Sequence, residues 1–213
     1  MNIVITGATR GIGAGLAAHY TSAGHSVVGT GRSAGVDVTL DVTQPSDHRA
    51  LAQRLADVPV DLLVCNAGVY LDRGETLETG YAADIWAQTF AANVTGVFLT
   101  IQALLPNLRR AARPKIAIIS SQMASHTRAP GGSYIYRSSK AAVLNLGRNL
   151  ATDLAGEVAV GIYHPGWVQT DMGGASAAIT VDESVAGLVE RFEALSLDTS
   201  GCFETWDGQA HAY

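Results

Sequence analysis

The sequence predicts a doubly wound α/β fold, a mostly parallel sheet with helices on both faces. Three observations carry that prediction. Short β-rich apolar runs alternate with longer segments of helical periodicity along all 213 residues. The first run ends in a glycine cluster, Gly7 to Gly13, that opens a helix. A later run, 60–66, is apolar nearly throughout, as a strand covered on both faces requires. The length suits one α/β domain, 1–213, with a full core. Apolar residues make up 47% of the chain and charged residues 15%, against about 25% charged in typical soluble domains. That balance argues against disorder and implies surface buried beyond the monomer core, between subunits.

The elements follow in order. Residues 2–6 are the first strand. In the helix 11–23, Ile12, Leu16 and Tyr20 recur at every fourth position on one face. Residues 26–30 are a second strand and 38–41 a short third. Only about eight residues separate Arg32 from Asp41, fewer than the dozen or more of a parallel crossover, so the helix expected there is missing. A helix over 46–56 takes Ser46 as its predicted cap. After the strand 60–66, a long helix spans about 84–110, with Trp86, Phe90, Val94, Val97, Ile101 and Leu104 at helical intervals. Strands at 116–121, 158–164 and 201–206 alternate with helices at 136–154 and 181–195.

Several classes of function are disfavoured. A net charge of −5 offers no basic field for nucleic acid or anionic lipid. No apolar run reaches the roughly 18 residues of a membrane helix. Cys65 and Cys202 make no disulfide framework, and the N-terminus lacks the positive lead of a signal peptide; both point to the cytoplasm. The six histidines show no metal-ligand spacing, so no metal is expected.

The first strand runs into Thr6-Gly7-Ala8-Thr9-Arg10-Gly11-Ile12-Gly13. Glycines let a pyrophosphate approach the backbone, and a helix opening at Gly11 offers free N–H groups and the positive end of its dipole. The strand–turn–helix context is what a dinucleotide site needs. The Thr-Gly-x-x-x-Gly-x-Gly spacing resembles the short-chain dehydrogenase/reductase family. The second strand ends Gly29-Thr30-Gly31-Arg32, without the carboxylate that grips the adenine ribose of NAD. Arg32 instead offers a planar fork matched to a phosphate, and Arg10 lies within reach of the same place. In the resembling family a basic residue at either position goes with NADP; NADP is therefore favoured, and NAD remains possible. Asp41-Val42 resembles the family's Asp-Val pair beside the adenine.

Tyr136 and Lys140 stand at i and i+4, one turn apart on one helix face. A phenol titrates near 10, and lowering it by about three units to exchange protons at neutral pH needs about 4 kcal/mol of differential stabilisation. The Lys140 ammonium and a positive nicotinamide ring can supply it in a dry site. Ser120 and Ser121 end the fifth strand, where a hydroxyl faces the ligand crevice. The family pattern selects Ser121, with Ser120 and Ser125 as lesser candidates. The 15-residue interval from Ser121 to Tyr136 is slightly longer than the family's spacing and implies a small insertion. Asn93 lies on the apolar stripe of the long helix, where a buried amide needs partners. The resemblance of Asn93-Val94-Thr95-Gly96 to the family's Asn-x-x-Gly makes it the fourth catalytic member, holding a proton-relay water for Lys140.

Two further segments match the family. Asn66-Ala67-Gly68 implies backbone passing the adenosine, with Asn66 bracing the sheet. Pro165-Gly166-Trp167-Val168-Gln169-Thr170 implies a turn beside the nicotinamide, with Val168 and Thr170 touching its carboxamide. The wording around Ser121, Tyr136 and Trp167 resembles the small C-factor-like and sniffer-like carbonyl reductases. The resemblance implies NADP(H)-dependent interconversion of a small carbonyl compound and its alcohol. It also implies a homodimer or homotetramer through the helices that carry Asn93 and Tyr136. The rival reading is a non-catalytic NAD(P)-binding regulatory or signalling protein. An isomerase or dehydratase on the same scaffold is a third, for which the short C-terminal region leaves little room.

Overall fold

The computed structural model describes residues 1–33 and 35–213. Seven strands, β1 (Asn2–Thr6), β2 (Ser26–Gly31), β3 (Val38–Thr39), β4 (Leu62–Cys65), β5 (Lys115–Ile119), β6 (Ala159–His164) and β7 (Phe203–Thr205), join one sheet. Their order is β3-β2-β1-β4-β5-β6-β7, and all six pairings are parallel. The chain winds one way from β1 to β3 and the other way from β4 to β7. The crevice beyond the carboxyl ends of β1 and β4 is thus a topological switch point.

The helices are α1 (Gly11–Ser22), α2 (Pro45–Leu55), α3 (Ala83–Phe90), α4 (Gly96–Leu108), α5 (Tyr134–Asp153) and α6 (Val181–Ala194). Alternate strand residues face opposite layers, the period-two geometry of a pleated strand. Val4, Leu63 and Ile118 pack with Leu51 of α2, Leu104 of α4 and Val143 of α5. Ile3, Ile5, Val64 and Ile119 pack with Leu16 of α1 and Leu188 and Phe192 of α6. Each such buried side chain stabilises the fold by about 1.5–3 kcal/mol relative to exposure.

Several boundaries differ from expectation. No helix lies between β2 and β3 among the described residues, as the short spacing predicted, and β3 shrinks to two residues. The path from Arg32 to Asp41 includes residue 34, which lies outside the described residues. Helix α2 starts at Pro45 rather than at a Ser46 cap. Proline's locked φ opens the helix one residue earlier, and the Ser46 hydroxyl bonds Asp47 instead. Helix α5 begins two residues before Tyr136.

The long helix is not uniform: a π turn, Ala91–Thr95, joins α3 to α4. The whole stretch, Ala83–Leu108, is 26 residues long and, by length and composition alone, apolar enough to cross a membrane, contrary to expectation. Here Val97, Ile101, Leu104 and Leu108 bury its inner face in the core beside the sheet.

Candidate active site

The site grows from the first turn. Gly7 has a left-handed φ of 68°, and a Cβ there would stand 3.0 Å from the Ala67 Cα. A Cβ on Gly13 would lie 2.2 Å from the Gly7 carbonyl oxygen, so only glycine lets α1 close onto the turn. Asn66 ties β4 to the same turn: its Nδ2 donates to the Thr6 and Gly7 carbonyls at 3.0 and 3.1 Å. The Thr6 hydroxyl in turn accepts from the Asn66 and Ala67 N–H groups, both at 3.0 Å. The N-terminus of α1 has no side-chain cap and no acid in its first turn, so its positive end is left for an anion.

A crevice of about 480 Å³ runs from this turn toward α5. Gly7, Thr9, Arg10, Gly11 and Ile12 form one wall. Arg32, Asp41 and Val42 line one end, and Asn66, Ala67 and Gly68 pass along the floor. Tyr136, Lys140, Pro165 and Thr170 close the other end. Gly13, Gly166 and Val168 are not among the residues that line the crevice. Val168 is buried and bridges to Ile179, which leaves it off the crevice surface where carboxamide contact was expected. Thr170 lies against Gly11, its methyl carbon 3.2 Å from where a Cβ on that glycine would sit.

At the β2 end, partial burial raises the Asp41 carboxyl. Hydrogen bonds from Thr43 and the Arg32 cation outweigh that and hold it below the usual carboxylate value. His48 Nε2 bonds the Val42 carbonyl at 2.9 Å and fixes this loop. Arg10, expected beside Arg32, instead pairs with Asp171 across the crevice at 3.0 Å, both side chains exposed.

Tyr136 and Lys140 are 7% and 5% exposed, on the same face of α5. Lys140 Nζ lies 5.7 Å from the Tyr136 ring centre and donates to the Ile119 carbonyl at 2.9 Å. Burial pushes the Lys140 ammonium down to about 8. Burial pushes the Tyr136 phenol up to about 12; the Ser121 hydroxyl pulls it down, while Tyr70 and Asp72 push it further up. Without the positive nicotinamide ring that the expectation also invokes, the lowering of this phenol does not appear. In the protein by itself the same burial disfavours both charged forms, and Tyr136 holds its proton at neutral pH.

Ser121 is buried beside that phenol, and its oxygen accepts from the Met123 N–H at 3.1 Å. The Ser120 hydroxyl donates to the Lys140 carbonyl at 3.1 Å and the Ser125 hydroxyl to the Tyr213 carbonyl at 3.3 Å, while Ser120, unlike Ser121, is among the residues lining the crevice. The Asn93 side chain is fully engaged: Oδ1 accepts from the Val69 N–H at 2.8 Å, and Nδ2 donates to the Val69 carbonyl and the Ser139 hydroxyl at 2.9 and 3.0 Å. It clamps the loop after β4 and borders Gly68 together with Lys140, its Oδ1 at 3.1 Å and the Lys140 Nζ at 3.6 Å from where a Cβ on that glycine would stand. Gly96 completes the motif, since a Cβ there would lie 2.7 Å from the Val42 carbonyl oxygen. Among the described residues no group of three or more metal-ligating side chains occurs.

Residues 1–179 match the family described as short chain dehydrogenase. The chain belongs to that family. Its relatives include C-signal of Myxococcus xanthus, 39% identical over 162 residues, which covers 75% of this chain and 96% of that protein. The 1-hydroxy-2-glutathionyl-2-methyl-3-butene dehydrogenase of Rhodococcus sp. (strain AD45) is 32% identical, covering 97% and 96% of the two chains. An NADPH-bound carbonyl reductase from chicken fatty liver superposes with a TM-score of 0.91 at 30% identity, covering 100% and 98%. Carbonyl reductase Sniffer of D. melanogaster does so with a TM-score of 0.93 at 26% identity, covering 100% and 99%.

This short-chain dehydrogenase also surrounds Tyr136 with residues the motif search missed. Tyr70 stacks on it, ring centres 4.4 Å apart at 26°. Asp72 accepts from the backbone at the start of α5. Met172 Sδ lies 4.0 Å from the phenolic oxygen, and the Arg73 guanidinium donates to the Met172 carbonyl across the mouth. Only the aromatic and acidic character of 69–73, directly after Asn66-Ala67-Gly68, marked that segment in the sequence.

Proposed function

We propose that the chain is an NADP(H)-dependent oxidoreductase interconverting a small ketone or aldehyde and its alcohol, working as one catalytic unit over 1–213. The observation that carries this reading is a buried tyrosine–lysine pair in the same crevice as a glycine turn whose helix end is free for an anion. The crevice fits a dinucleotide. Side chains are absent where Gly7 and Gly13 bring the backbone close, and the α1 N-terminus is uncapped. The C-signal, carbonyl reductase and dehydrogenase relatives lend the chemistry its class. The NADPH-bound neighbour, together with Arg32 and the missing acid after β2, favours NADP over NAD.

Gly7, Thr9, Gly11 and Ile12 would hold the pyrophosphate, with Gly13 setting the turn. Arg32, assisted by Arg10 if its Asp171 pair opens, would hold the ribose phosphate. Asp41 and Val42 would flank the adenine, Asn66, Ala67 and Gly68 the adenosine, and Pro165, Gly166 and Thr170 the nicotinamide. Bound NADPH supplies the hydride. Tyr136 gives its proton to the carbonyl oxygen; a phenol near 12 is neutral and carries that proton at neutral pH. Ser121 donates a hydrogen bond to the same oxygen. Lys140 orients the nicotinamide ribose and replenishes the proton through water, with Asn93 keeping the Val69 loop and the π turn in register for that relay. The low charge content and an exposed Phe98 on α4 support a homodimer or homotetramer, and the free Cys65 and Cys202 a cytoplasmic setting.

The relative named C-signal keeps the non-catalytic signalling reading in play. A panel of ketones and aldehydes with NADPH and with NADH separates the two. The enzyme reading expects NADPH consumption, weaker with NADH. Nucleotide binding without turnover of any carbonyl compound by the wild type would instead support the regulatory reading, and preferred use of NADH would refute the role given to Arg32.

A further inference from the structure

We propose that Asp72 is a positioning residue for Tyr136, capping the first turn of α5 from the loop after β4 and so fixing where the phenol stands. The proposal rests on Tyr136 being the proton donor, but its evidence is independent. Helix α5 does not cap itself. Its N-cap, Ser133, sits in the left-handed region with φ 48° and makes no side-chain bond to the helix. The Ser133 hydroxyl turns instead to the Tyr70 hydroxyl. The task falls to Asp72: Oδ2 accepts from the Ile135 N–H at 2.9 Å and Oδ1 from the Tyr136 N–H at 3.2 Å. Thus the residue whose phenol does the chemistry has its own backbone N–H held by this carboxylate.

Asp72 is 0% exposed. Among the described residues no Lys, Arg or His pairs with it. A buried carboxylate without a cation is tolerable where it meets free helix N–H groups and the positive dipole end. The same short segment is pinned at its start, because Asn93 clamps Val69 from both sides. Between the two anchors Tyr70 stacks on Tyr136. Val69 to Asp72 therefore forms a rigid brace from the π turn of Asn93 to the first turn of α5.

The charge has a consequence that a neutral cap would lack. Titratable groups facing Tyr136 are Lys140 on its own helix and Tyr70 and Asp72 from this loop; Tyr81 also lies in the field of Asp72. Asp72 opposes a phenolate both directly and by cancelling the α5 dipole, and so favours the protonated donor. Replacing it with a neutral residue lowers the Tyr136 pKa.

The test is an ultraviolet titration of tyrosinate in the NADPH-bound chain, with Asp72→Asn and Asp72→Glu, each referenced to the same protein carrying Tyr136→Phe. Asp72→Asn should lower the Tyr136 midpoint by about one pH unit while Asp72→Glu keeps it. In carbonyl reduction, Asp72→Asn should lower kcat about tenfold with KM for NADPH within about twofold, since the phenol is displaced and the nucleotide is not. An unchanged midpoint in Asp72→Asn overturns the proposal. Asp72→Ser, equally neutral, decides it if Asp72→Asn does not fold. In the wild type the Ile135 and Tyr136 amide protons should exchange slowly with solvent, and rapid exchange overturns the cap whatever the variants do. The titration and the exchange need no turnover, so an inactive wild type would refute the oxidoreductase reading while leaving these two measurements to decide on Asp72.

Discussion

The two ends of the crevice are built from different materials. The end nearest β1 and β2 is a backbone cradle: glycines that exclude side chains, an uncapped helix and two exposed arginines. The end on α5 is a lattice of buried side chains, in which Tyr136, Lys140, Asn93 and Asp72 are each held by named hydrogen bonds or stacking. The cradle depends on what is absent and the lattice on what is present. A substitution should therefore damage binding at one end and chemistry at the other.

The sharpest way to break that division is Gly13→Ala. Its Cβ would meet backbone, the Gly7 carbonyl, which cannot swing aside as a side chain can. Overpacking of this kind costs about 1–3 kcal/mol, and NADPH affinity measured by fluorescence should fall about a hundredfold. An affinity within a factor of three of the wild type would mean the turn does not form the cradle.

At the carboxyl end of β6, directly before Pro165, burial lowers the His164 imidazole to about 4, aided by His211 and Arg128 against the pull of Asp207. The unfolded chain binds this proton near 6.5, so between about 6.5 and 4 it takes up more protons than the folded chain. Stability then falls as pH falls, by up to about 3 kcal/mol across that window. Chemical denaturation of the wild type and His164→Asn should diverge in slope there. Parallel curves would remove His164 from the account.

Arg32→Ala sharpens the comparison more gently. An exposed fork acts on one phosphate, so the ratio of NADPH to NADH use should fall about tenfold with little change in melting temperature. Arg10→Ala should change the ratio about twofold at most, because its partner is the exposed Asp171. Equal effects from the two would mean that Arg10 leaves Asp171 when nucleotide binds.

What could be read from the sequence follows the same line. Gly7 to Gly13 and the pair Tyr136 and Lys140 are local patterns, visible because their spacing is their geometry. The missing helix after β2 was legible from chain length alone. The partners of Asn93 were not, because its clamp reaches Val69 across 24 positions. Asp72 was invisible for the same reason: its cap on Tyr136 joins residues 64 positions apart. The pairing of Arg10 with Asp171 was hidden too, because it joins exposed side chains 161 positions apart. The rise of the Tyr136 phenol follows from burial, which spacing does not reveal.

The most direct test of the central claim measures NADPH affinity and single-turnover reduction side by side in Gly13→Ala and Tyr136→Phe. The account predicts a crossover: Gly13→Ala loses affinity, while Tyr136→Phe keeps affinity within about twofold and loses about a thousandfold in rate. Tyr136→Phe retaining wild-type turnover would contradict it outright.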